Sequence, residues 1–91
     1  MDEVLLDGVE MTDRKTSHSY IKEQLTLPDY YGNNLDALWD YLSTDYSQKK
    51  IVIVNPKKLV ENLGHYGEQL ISVFREAAIE NPFLHVKILY S

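Results

Sequence analysis

The tetrapeptide Ile51-Val52-Ile53-Val54 is β-branched at every position, and Asn55-Pro56 closes it. Side chains of that shape favour extended backbone, so the run predicts a strand rather than a buried helical turn. It does not alternate apolar with polar residues, as expected of a strand covered on both faces. Two other short runs read as strands: Val4-Leu5-Leu6, closed by Asp7-Gly8, and Leu84 to Tyr90, with apolar Val86, Ile88, Leu89 and Tyr90. Helical patterns fill the intervals. Arg14 to Leu25 places Ser17, Ile21 and Leu25 on one face and stops before Pro28. Asn34 can cap Leu35 to Leu42, where Leu35, Leu38, Trp39 and Leu42 recur at i, i+3, i+4 and i+7. Asn55 reads as a cap, Pro56 as the first helical residue and Gly64 as the stop. Glu68 to Glu80 carries Leu70, Ile71, Phe74, Ala77 and Ala78 inward until Asn81-Pro82 ends it. Strands separated by helices imply parallel pairing with right-handed crossovers. The expected fold is α/β, a three-stranded parallel sheet with four helices in the order β-α-α-β-α-α-β. Ninety-one residues suffice for one modest core, so residues 1–91 are expected to form a single domain.

Charge narrows the function. Fourteen acidic residues against nine basic ones give a net charge of −5, which argues against nucleic acid or an anionic membrane as partner. No apolar run is long enough to span a bilayer, and Met1-Asp2-Glu3 does not begin a signal peptide, so a cytoplasmic location is expected. The absence of cysteine removes disulfides, thiolate metal sites and a cysteine nucleophile. His18, His65 and His85 have no metal-ligand spacing and read as surface or internally satisfied histidines. No phosphate-binding glycine loop or nucleophile elbow is present, so neither cofactor nor metal is expected. Lys49-Lys50 and Lys57-Lys58 read as solubilising charges, with a weak second contact as the alternative, and Tyr66 as a packing residue.

The acids are unevenly placed. From Glu23 to Gln48 there is no Lys or Arg, yet Glu23, Asp29, Asp36, Asp40 and Asp45 all fall there. Asp36 and Asp40 lie four apart on the helix after Asn34 and so project from one side, about a turn apart. Like charges at that spacing cost a helix a few tenths of a kcal/mol, and only Asp36, in the first turn, is partly offset by the helix dipole. Trp39 borders the apolar stripe beside Asp40, and the turn-rich loop Pro28-Asp29-Tyr30-Tyr31-Gly32-Asn33-Asn34 precedes it. Surface Tyr and Trp anchor protein–protein interfaces, and aromatic rings among carboxylates suit a basic, concave protein. The plainer alternative is a solvated carboxylate pair beside core tyrosines. Glu76 and Glu80 form another i, i+4 pair opposite Phe74, which taken alone is a solvent-facing pair.

The run from Leu27 to Asp40, Leu-Pro-Asp-Tyr-Tyr-Gly-Asn-Asn-Leu-Asp-Ala-Leu-Trp-Asp, resembles the signature of the barstar family, intracellular inhibitors of barnase-type ribonucleases. Val73-Phe74-Arg75-Glu76-Ala77 is a second match. The resemblance implies an inhibitor, not an enzyme, that plugs a secreted ribonuclease's active site with loop and helix. It implies that Asp40 stands in for an RNA phosphate, that Asp36 pairs with an active-site Arg, and that Tyr30 packs over the catalytic His. Gly32, Asn34, Leu35 and Trp39 then supply surrounding contacts, with Glu76 and Glu80 as a flanking acidic contact. The family's type member has a Trp shortly after this helix, where this chain reads Ser43-Thr44-Asp45-Tyr46, and Asp45 is the interface residue expected there. The type member's cysteines are absent, with Tyr41 in place of one, and the loop Asn81-Pro82-Phe83-Leu84 is longer.

Two other functions compete. One is a module of the same fold that binds a different basic protein without inhibiting a ribonuclease. The other is a small hydrolase using Asp36 and Asp40 as an acid–base pair. In every case the free chain is expected to be a monomer.

Overall fold

The computed structural model describes residues 2–90. The strands are β1 (Asp2–Asp7), β2 (Lys49–Val54) and β3 (Leu84–Leu89). The helices are α1 (Arg14–Leu25), α2 (Leu35–Thr44), α3 (Pro56–Leu63) and α4 (His65–Glu80), and a single 3-10 turn spans Gly8–Glu10. The three strands form one parallel sheet in the order β1-β2-β3, so both connections cross over through a pair of helices. Fold class and element order agree with the sequence expectation.

Register divides the sheet into two faces. Val4, Ile51 and Val86 lie abreast, as do Leu6, Ile53 and Ile88. This face packs with Ile21 and Leu25 of α1, Leu38 and Leu42 of α2, and Leu70, Phe74 and Ala77 of α4. The other face carries Leu5, Val52 and Lys87 abreast. Its edge residues Glu3, Leu5, His85, Lys87 and Leu89 are all exposed. The central strand β2 is nonetheless covered on both faces, as its sequence predicts, since Ile51, Val52 and Ile53 are all buried. The apolar run of β2 reflects its central place, where flanking strands shelter Val52, rather than two helical layers.

Local chemistry sets the element ends. Asp13 caps α1 by accepting from the Thr16 amide at 2.7 Å, and Asn34 caps α2. Asn55 precedes Pro56 as expected but makes no side-chain cap bond. It sits in the left-handed region (φ 53°), and its amide reaches back 2.8 Å to Asp7 Oδ1. This ties the ends of β1 and β2 together where Gly8 is pressed against the chain. A Cβ on Gly8 would lie 2.1 Å from the Asn55 carbonyl oxygen. Gly64, at φ +61°, ends α3, and its carbonyl accepts from the Gly67 and Glu68 amides, so α4 starts at His65, earlier than Glu68. Among the described residues, no helix is long and apolar enough to cross a membrane.

Candidate functional site

Helix α2 and the loop before it form the most chemically distinctive surface. The loop folds back through the Tyr31 amide donating to the Pro28 carbonyl at 3.0 Å, with Asn33 left-handed at φ 53°. Asn34 then joins loop to helix. Its Oδ1 accepts from the Ala37 amide at 2.8 Å and its Nδ2 donates to the Gly32 carbonyl at 3.1 Å. A cap of this kind stabilises a helix by about 1 kcal/mol. Leu38 and Leu42 are buried, which fixes the rotation of α2 and leaves Asp36 and Asp40 exposed, with Leu35 and Trp39 half-buried beside them.

The two adjacent tyrosines have opposite fates. Tyr30 is 88% exposed and Tyr31 only 8%. Tyr31 is held by a buried polar chain in which its hydroxyl lies 2.8 Å from His18 Nδ1, and His18 Nε2 lies 2.6 Å from the Tyr66 hydroxyl. In a neutral imidazole one ring nitrogen donates and the other accepts, so the two hydroxyls take opposite roles. Burial lowers the His18 pKa below its ordinary 6.5. Burial also pushes the Tyr31 hydroxyl upward, as it does Tyr66, where the Arg14 guanidinium 4.2 Å from the ring centroid partly offsets it. Thus α1 and α4 jointly anchor the loop that exposes Tyr30. His18 is a satisfied core histidine, and Tyr66 is more than packing.

Asp36 and Asp40 project from the same exposed side of α2, one turn apart, but each borders a different depression beside the helix. Asp40 shares one of about 340 Å³ with Tyr30, Gly32, Tyr41 and Thr44. Asp36 shares the other, about 460 Å³ between α2 and α4, with Leu35, Trp39, Glu68 and Glu76. Glu80 lies exposed one turn beyond Glu76 on α4. Sequence reasoning missed Glu68, although its i+8 spacing from Glu76 places it along the same helix face. It also missed cations that are distant in sequence. Arg14 and Lys15 of α1 line a third depression with Asn33, Asn34 and Asp36. The carboxylates are free of cations along the chain, but Asp36 has a basic edge in space.

Asp45 is differently placed. Its carboxylate accepts from Ser47 (backbone N at 3.1 Å, Oγ at 2.8 Å) and pairs with Lys49 Nζ at 3.2 Å. Burial acts to raise its pKa, but hydrogen bonds from Ser47, Tyr41 and Lys49 outweigh it and hold the carboxyl at about 2. Lys49 is buried, and its ammonium also donates to the Tyr41 hydroxyl at 2.9 Å. It is therefore not the solubilising surface charge that the sequence suggests. Among the described residues, no cluster of His, Asp and Glu is arranged to hold a metal ion.

Comparison with known proteins identifies the family of the chain. Residues 1–90 match the family model described as "Barstar (barnase inhibitor)". The chain is also similar to a Bacillus subtilis (strain 168) protein named "Putative ribonuclease inhibitor YrdF". The two are 35% identical over 82 residues, covering 88% of this chain and 89% of that protein.

Proposed function

This chain belongs to the barstar family, and on that premise we propose that it inhibits a secreted barnase-like ribonuclease by occupying its catalytic cleft. One observation carries the proposal. Asp40 and Asp36 stand exposed on a helix fixed by buried Leu38 and Leu42, flanked by exposed Tyr30 on a loop pinned through Tyr31. A ribonuclease cleft is cationic because it binds phosphate. In the proposed complex Asp40 takes the phosphate's place, Asp36 pairs with an active-site Arg, and Tyr30 covers the catalytic His. Gly32, Asn34, Leu35 and Trp39 supply the surrounding contacts, and Glu76 and Glu80 extend the acidic surface along α4. Asp45 is a rim residue whose charge Lys49 already compensates.

No bond is made or broken by the inhibitor, which acts by occupancy. Opposite charges raise the association rate, and a pre-ordered surface reduces the entropy lost on docking. The barnase–barstar pair is itself a standard case for such steering and for hot-spot energetics. The chain is proposed to act in the cytoplasm as a free monomer, without cofactor, nucleic acid or membrane.

A hydrolase is disfavoured because Asp36 and Asp40 border separate depressions, so no common cleft gathers them on one substrate. The internal engagement of Asp45 favours one second reading, a module of the same fold that binds a different basic protein. Titrating barnase activity with this chain, and with Asp40→Ala and Tyr30→Ala, separates the two. Potent inhibition weakened in both variants supports the ribonuclease inhibitor. Equal potency in wild type and both variants refutes the site, and no inhibition at all favours the second reading.

A further inference from the structure

Beyond the acidic surface, past the C-terminus of α2, two aromatic rings stand in solvent. Tyr46 is 66% and Phe83 40% exposed, and their rings meet edge to face with centroids 5.8 Å apart. Exposed aromatics are not unusual singly; here two from distant segments are brought together and held. The holding residue is Asn81, which is fully buried. Its Nδ2 donates to the Leu42 carbonyl at 2.9 Å and the Asp45 carbonyl at 2.7 Å, while its Oδ1 accepts from the Phe83 amide at 3.0 Å. One side chain thereby joins the end of α2, the residue before Tyr46 and the residue bearing the second ring. The Ser47 bonds to Asp45, and the Lys49 pairing, fix the segment from the other side.

The pair continues the proposed inhibitory surface. Thr44 lines the Asp40 depression and donates from its hydroxyl to the Asp40 carbonyl at 2.5 Å; Tyr46 follows two residues later. Phe83 lies three residues after Glu80. A chain of net charge −5, with exposed Glu80 directly preceding the Asn81 that holds the pair, repels a second copy approaching the patch and attracts a cationic protein.

We propose that Tyr46 and Phe83 form an apolar anchor at the rim of the inhibitory surface, taking an apolar or aromatic side chain that the ribonuclease carries beside its cationic cleft. This presupposes the inhibitory function proposed above. Charge then governs approach and the aromatic pair governs residence, with the pair's pre-ordered geometry limiting the entropy lost on contact. It also sets specificity, since a ribonuclease with a carboxylate at that point would have to desolvate it against the negative faces of two rings.

The test measures association and dissociation rates with barnase for the wild type, Tyr46→Ser, Phe83→Ser, the double variant and Asp40→Ala, with folding checked by circular dichroism. The expected result is a dissociation rate about tenfold higher in each serine variant, a nearly unchanged association rate, and non-additivity in the double variant. A double variant that dissociates within twofold of wild type, while Asp40→Ala fails, overturns the anchor and leaves the inhibitory function standing. A wild type that does not bind barnase overturns both. Sedimentation showing that the wild type dimerises and the double variant does not assigns the patch to self-association and also overturns the anchor.

Discussion

The Tyr31 hydroxyl lies 2.8 Å from His18 Nδ1, so the loop that exposes Tyr30 is bonded directly to the middle of α1. The same imidazole reaches Tyr66 on α4 at 2.6 Å. Removing one member leaves a buried polar atom without a partner, which costs about 1–3 kcal/mol. Tyr31→Phe is therefore expected to destabilise the chain by that amount while keeping the ring packed. Urea unfolding measures the loss. Inhibition of barnase is expected to weaken as well, because the anchor of Tyr30 is loosened.

That chain also makes stability depend on pH. Burial keeps His18 neutral in the folded state, with a pKa below 6.5. The groups bonded to it are the two tyrosine hydroxyls, with Arg14 over the Tyr66 ring. The unfolded chain takes up the proton as pH falls through 6.5, whereas the folded chain does not until lower pH. Stability from this group is thus complete above pH 6.5 and declines as pH falls toward the lower folded value. Urea midpoints at pH 7.5 and 5.5 should show the decline in wild type, and His18→Gln, though less stable overall, should lose most of it.

Asp45 and Lys49 supply a second, more acidic window. With the Asp45 carboxyl held at about 2 against an ordinary 3.8, its contribution is complete above pH 3.8 and is lost as pH falls toward 2. Asp45→Ala leaves the buried Lys49 ammonium with only the Tyr41 hydroxyl. The variant is expected to lose about 1–3 kcal/mol of stability in thermal unfolding and, because the segment bearing Tyr46 is loosened, to dissociate from barnase a few-fold faster while associating at nearly the wild-type rate. A large loss of inhibition without loss of stability would place Asp45 in the interface instead.

Asn81→Ala strips three hydrogen bonds from one buried residue. The expected cost is roughly 2–4 kcal/mol, a fall in Tm of about 10–25 °C for a domain of this size. Thermal unfolding followed by circular dichroism reads it directly.

The order of elements was legible because β-branched runs and helical spacing are local signals, as Ile51 to Val54 and Leu35 to Leu42 illustrate. What escaped depended on pairing across the fold. Tyr30 and Tyr31 are identical in kind and adjacent, and what distinguishes them lies elsewhere in the chain: Tyr31 meets the apolar core and His18, 13 residues away. Lys49 carries an ordinary surface charge in sequence and acquires its buried role from Asp45 and Tyr41. Val52 is apolar and buried like its neighbours, yet its flanking partners on that face, Leu5 and Lys87, are exposed. Asn81 signalled a helix end correctly, but two of its three bonds reach backbone at the end of α2, some 36–39 residues away.

The central claim is that exposed carboxylates on a rigid helix replace phosphate in a cationic cleft, and association kinetics with barnase at varied ionic strength test it most directly. For the wild type, the association rate is expected to fall steeply with added salt while dissociation changes little. Asp40→Ala is expected to weaken binding by at least about 30-fold, the hot-spot threshold of ~2 kcal/mol. A wild-type association rate indifferent to salt, together with an Asp40→Ala variant that binds as tightly as wild type, would contradict it.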